Sequence, residues 1–151
     1  MPFNYAPDEA MRYEVSEFFF NNNRLPVDKE TINSYWGFSY AHLPTMLCNV
    51  FDYVFMKFTA LFNNSSRAIL LSARMVSVFS GVGTVYFTIK SSKLLFKSPA
   101  RWIMILLVAT LPQFIFISSY VNNDILALLG SSIILYAWLL AINYNWNYKK
   151  F

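Results

Sequence analysis

Charge is what this sequence has least of. Only 13% of its 151 residues are Asp, Glu, Lys or Arg, about half the share of an ordinary soluble domain. A single cysteine, Cys48, excludes a disulfide scaffold, and a single histidine, His42, excludes a multi-histidine metal site. Four glycines and six prolines are too few for a collagen-like or linker chain. No Walker loop, Gly-rich dinucleotide turn or Ser–His–Asp arrangement occurs. The basic start and apolar run of a cleaved signal peptide are also missing, because residues 1–20 hold Asp8, Glu9, Glu14 and Glu17. Apolar side chains fill the gap at 56%, aromatics alone at 19%, with a mean hydropathy of +0.38. That content excludes intrinsic disorder.

The missing charges leave three long stretches. Ala68–Ile89 is 22 residues broken only by Arg74, Trp102–Val121 is 20 residues with no charge, and Ile125–Ile142 is 18 with none. At about 1.5 Å per residue, roughly 20 helical residues cross a hydrocarbon core of about 30 Å. A transmembrane barrel would alternate polar and apolar residues, which Ile103-Met104-Ile105-Leu106-Leu107-Val108 does not. The expectation is therefore an all-α membrane protein. Residues 1–66 form an extracytoplasmic loop with amphipathic or interfacial helices, and residues 67–151 form a region of three transmembrane helices. The chain is expected to begin outside the bilayer, without a preceding span.

Charge sets the expected orientation. Residues 1–66 carry seven acidic and four basic side chains, a net of −3, and residues 67–151 carry eight basic and one acidic, a net of +7. Lys90, Lys93, Lys97 and Arg101 lie between the first two spans, and Lys149 and Lys150 follow the third. Short basic loops stay cytoplasmic, so Lys90–Arg101 and the C-terminus are placed inside, with residues 1–66 and 118–123 outside. The lipid bilayer is the expected partner, and nucleic acid is excluded because the basic residues form no continuous face.

In the outer segment, Pro7-Asp8-Glu9 opens a helix predicted to reach Phe20, with Met11, Val15, Phe18 and Phe19 on one face. Asn21-Asn22-Asn23 and Pro26 end it. Tyr35, Trp36, Phe38 and Tyr40 suit an interfacial belt. After Pro44, apolar residues recur at helical spacing while Asn49, Asp52 and Lys57 interrupt the other side, which predicts an amphipathic, partly embedded helix. Pro112 is predicted to kink the second span, and Gly130, Ser131 and Ser132 are small enough for close helix packing in the third.

Few residues offer chemistry, and each has a plainer account beside it. Asp8 and Glu9 read most simply as a helix cap and an acidic first turn; adjacent carboxylates also supply a general base or a divalent-cation site. Asp124, after Asn122 and Asn123, caps the third span or meets Asp8 at the same membrane face. Arg74 either snorkels or pairs with Asp124, Asp52 or a lipid phosphate. Cys48 reads as packing in an apolar helix. Asn63-Asn64-Ser65-Ser66 holds two overlapping glycosylation sequons on the outer side.

Pro7-Asp8-Glu9, the aromatic-rich helix after it and Asn23-Arg24-Leu25-Pro26 together resemble the first large outer loop of GT-C glycosyltransferases. These are polytopic enzymes, such as protein O-mannosyltransferases and aminoarabinose transferases, that use polyprenyl-phosphate-linked sugars. Ala41-His42-Leu43-Pro44 resembles their His-Pro-Pro-like stretch. Ala73-Arg74-Met75-Val76-Ser77-Val78 resembles the Arg-containing start of the next span, and Val121-Asn122-Asn123-Asp124 their outer Asn-Asn-Asp turn. Order and spacing agree over roughly residues 5–142. The resemblance implies Asp8 as the catalytic carboxylate with Glu9 supporting it, and Asp124, Asn123 and His42 on the substrate side of the same cavity. Arg74 is assigned to the carrier phosphate on its charge and depth. A divalent cation held by Asp8, Glu9 and Asp124 stays open as cofactor.

Full-length members have around a dozen spans, so the chain is expected to be an N-terminal portion of such an enzyme, or a truncated relative of one, working with its remaining transmembrane helices or with partner subunits. Two other readings compete. A small non-catalytic assembly subunit would use Gly130, Ser131, Ser132 and the aromatics of 35–40 against partner helices. A transporter fragment would place Arg74 and Asp124 on an ion path.

Overall fold

The computed structural model describes residues 3, 6, 8–27, 30 and 43–146, with 43–46 given by their backbone course alone. Six helices and no strand form among the described residues. They are α1 (Glu9–Asn22), α2 (Leu43–Ala60), α3 (Ser66–Leu95), α4 (Ala100–Thr110), α5 (Pro112–Ile117) and α6 (Asp124–Asn143). The expectation for residues 35–40, for His42 and for Lys149 and Lys150 lies outside the described residues.

The chain divides within α3 into two compact units. One comprises residues 1–78 and 119–123, the other residues 79–118 and 124–151.

In the first unit, α1 ends where the sequence signals it. Asn23 takes the left-handed conformation at φ 52°, and its N–H bonds the Phe19 carbonyl. Asparagine tolerates that conformation better than most side chains. Arg24 then pairs with Glu30 at 2.6 Å, and that bond with the Val27 N–H holds the Glu30 carboxyl down to about 2. At the turn into α3, Asn63 Oδ1 accepts the Ser65 N–H at 2.9 Å, and Ser65 Oγ accepts the Ala68 N–H at 3.4 Å. Ser65 is thus the hydroxyl that caps α3.

α1 packs along α2. Phe19 stacks on Tyr53 with ring centroids 4.0 Å apart, the Tyr53 hydroxyl donates to Asn23 Oδ1, and Lys57 Nζ lies 4.6 Å above the Phe20 ring. Tyr13, Met56, Ile69, Ala73 and Val121 form the buried apolar cluster between α1, α2, α3 and the 119–123 segment. The outer face of α2 stays apolar and exposed through Leu47, Phe51, Val54 and Phe58.

The buried stripe of α1 is Glu9, Tyr13, Val15 and Ser16. Of the predicted apolar face only Val15 is buried, with Met11, Phe18 and Phe19 half-buried. The physical reason is that α2 and α3 offer polar partners on this side, so a polar stripe is the better-satisfied one.

In the second unit, α3 approaches its neighbours at two glycines. A Cβ on Gly81 would lie 2.7 Å from Ser118 Oγ, and one on Gly83 would lie 2.8 Å from a Leu129 methyl. Gly130, by contrast, has open space where a Cβ would stand, so close packing falls at Gly81 and Gly83. Phe87 meets Tyr136 with centroids 5.7 Å apart.

α3 and α6, at 30 and 20 residues, are long and apolar enough to cross a membrane, and they contain the predicted spans 68–89 and 125–142. Hydroxyls inside them return to the preceding turn: Ser72 to Ile69, Thr84 to Ser80, Thr88 to Thr84 and Ser132 to Leu129. That leaves few polar atoms to desolvate. The predicted span 102–121 is instead two short helices, with Leu111 extended between them at φ −60°, ψ 119°. A residue before proline is pushed out of the α region, and Pro112 has no N–H for the ladder.

Candidate functional site

The first unit buries a charged cluster. Glu9, fully inaccessible at the start of α1, faces Arg74, nine residues into α3 and also buried. Arg74 Nε donates to Glu9 Oε1 at 2.8 Å and Nη2 to Oε2 at 2.9 Å. This two-point fit is the strongest geometry available to the pair. The Val121 N–H adds a bond to Oε1 at 3.3 Å. One carboxylate therefore ties together the N-terminal helix, the third helix and the 119–123 segment.

Glu9 is thus a two-point partner of Arg74, where the sequence offered Asp124, Asp52 or a lipid phosphate. Spacing could not reveal it, since 65 residues separate the two. Glu9 is accordingly a buried, structure-holding carboxylate.

Asp8, the next residue, is exposed and left-handed at φ 62°, and its side chain makes no cap bond to α1. The side-chain cap expected of Asp8 is therefore not formed: only its backbone carbonyl engages α1, accepting the Arg12 N–H at 3.0 Å, while the carboxylate stands in the open. Positive φ is sparsely populated by residues other than glycine, asparagine and aspartate.

A second polar layer joins α1 to α2. The Ser16 hydroxyl donates to Asp52 Oδ2 at 2.7 Å, while Asn49 Nδ2 donates to Ser16 Oγ at 2.7 Å and to the Arg12 carbonyl at 3.2 Å. Asp52 is 1% exposed, and its Oδ1 has no hydrogen-bond partner. Burial pushes its carboxyl up to about 7, with the Ser16 bond pulling the other way. Tyr13 is raised to about 12, first by burial and then by the nearby Glu17 and Asp52 charges. Cys48 is buried as expected, and its S–H reaches the Asn122 carbonyl at 3.3 Å. Burial and the Asp52 charge push its thiol up, which makes it unreactive.

Asn122 is fully buried and donates to the Tyr120 carbonyl. Asn123 is half-buried in the same segment, and Asp124 opens α6 in the second unit. Sequence reasoning missed Ser16, Asn49 and Asp52 as one network, because Asn49 and Asp52 read singly as interruptions of an apolar face and Ser16 carries no signal of its own. Among the described residues no group of three His, Cys, Asp or Glu side chains is arranged to hold a metal ion.

These features define a class: an all-helical protein with two helices long and apolar enough to span a membrane, and a buried acid–base cluster tying its N-terminal helix to one of them. Among known proteins, no family model, no curated protein and no solved structure matches the chain.

Proposed function

We propose that the chain is part of a membrane glycosyltransferase that moves a sugar from a polyprenyl-phosphate carrier to an acceptor hydroxyl at the extracytoplasmic face. One observation carries the reading. The Glu9 carboxylate bonds Arg74 and the Val121 N–H, so three stretches that resemble GT-C enzymes at separate places in the sequence meet at one point.

In this reading Asp8 is the general base. Its exposed carboxylate takes the proton of the acceptor hydroxyl as that oxygen attacks the anomeric carbon. The bond from that carbon to the carrier phosphate breaks, and the phosphate leaves with the electron pair. Base help of this kind contributes about 10² to 10⁴ in rate. Glu9 is a positioning residue that fixes the start of α1 against Arg74, and Asn123 lies on the substrate side. Three crossings complete the proposal: α3, α4 continued by α5, and α6, with Lys90–Arg101 cytoplasmic.

The test is sugar transfer in membranes containing the protein, using a labelled polyprenyl-phosphate sugar. Asp8→Asn is expected to lower transfer at least about 10²-fold with an unchanged melting temperature. Glu9→Gln is expected to lower both, since stranding one member of a buried pair costs about 3–5 kcal/mol. Wild-type transfer by Asp8→Asn would overturn the reading. If, in addition, Gly130→Leu abolished assembly with another membrane protein, the non-catalytic subunit would replace it.

A further inference from the structure

Beside the buried pair, a cavity of about 810 Å³ opens between α1 and the first turns of α3, within the range of roughly 300–1,000 Å³ typical of ligand sites. Its α1 wall is acidic, with Glu14 and Glu17, while the α3 wall begins with Ser66 and Arg67 and continues with Leu70 and Leu71. Glu17 and Arg67 are exposed, and among the described residues no ion pair joins them. Glu17 and Arg67 therefore line one cavity as opposite charges without neutralising each other directly.

The apolar part of the lining does not stop at the mouth. Leu71, Met75 and Val78, at 51%, 39% and 39% exposure, continue it as a stripe along α3 at the one-turn spacing of a single helix face. α3 is one of the two helices long enough to cross a membrane, so its first turn stands at the level of lipid headgroups when it does.

We infer that this cavity binds an aminophospholipid: Arg67 takes the phosphate, Glu17 with Glu14 takes the primary ammonium, and an acyl chain lies along Leu71, Met75 and Val78. A purely anionic headgroup would meet the two carboxylates, and a purely cationic one would meet Arg67. Only a headgroup carrying both charges satisfies both walls. A primary ammonium has three N–H donors for the carboxylates, whereas a trimethylammonium has none. The inference does not depend on glycosyl transfer.

Native mass spectrometry of the full chain, released from detergent with equal amounts of phosphatidylethanolamine, phosphatidylcholine and phosphatidylglycerol, tests it. Phosphatidylethanolamine is expected to be retained about tenfold more than either competitor, the factor for one charge-assisted hydrogen bond. Glu17→Gln is expected to bring it down to the level of phosphatidylcholine, and Arg67→Gln to lower its retention about tenfold. Both side chains are exposed, so circular dichroism should show both variants folded. Equal retention of the three lipids, or a preference that survives both substitutions, overturns the inference. So does free phosphoethanolamine binding as tightly as the lipid.

Discussion

Asp52 is the residue whose surroundings differ most from what its neighbours in sequence suggest. On α2 it interrupts an apolar pattern, yet it points inward, with Ser16 as its one hydrogen-bond donor and a carboxyl raised by burial to about 7. A carboxyl raised on folding keeps its proton in the folded state after the unfolded chain has lost it. Stability therefore falls as pH climbs from the ordinary aspartate value of 3.8 to about 7, by an amount on the order of a few kcal/mol. Asp52→Asn keeps an acceptor for Ser16 and carries no charge. Its melting temperature is expected to exceed that of the wild type by several degrees near pH 8, with the gap closing toward pH 4. Identical melting profiles across that range would show that Asp52 is not held protonated by burial.

At the scale of elements, α1 shows how far an apolar pattern reaches. Helix position and both ends follow from local signals: the acidic start at Glu9 and the run of asparagines closed by left-handed Asn23. Which face is buried does not, because Glu9, Tyr13 and Ser16 are covered by partners far away in sequence. The break between α4 and α5 is wholly local. Leu111 is extended because Pro112 follows it, so Pro112→Ala should let the two helices join. Amide exchange at residues 111–115 is expected to slow, and helical ellipticity to rise. An unchanged exchange pattern would place the cause of the break elsewhere.

For the whole molecule, α3 is the organising element, since both units draw on it. Its 30 residues extend about 45 Å, enough to carry Asn64 and Lys97, which flank it, to opposite sides of a bilayer. In a Cys48→Ser background, Asn64→Cys is expected to react with a membrane-impermeant maleimide in intact cells. Lys97→Cys should react only after permeabilisation. Labelling of both from the same side would remove the crossing by α3 and the orientation proposed from the basic residues.

The sequence by itself determined the helical class, the apolar stretches inside α3 and α6, the end of α1 and the break at Pro112. Each of these depends on hydropathy over consecutive residues or on the backbone preference of one residue. It also marked Glu9 and Arg74 as residues of interest. Only the tertiary structure decided that they are each other's partners, that Ser16, Asn49 and Asp52 form one buried network, and that Gly81 and Gly83, not Gly130, are the points of close approach. A polar side chain is buried at little cost only where a distant segment supplies its hydrogen bonds, and periodicity along the chain carries no record of that segment.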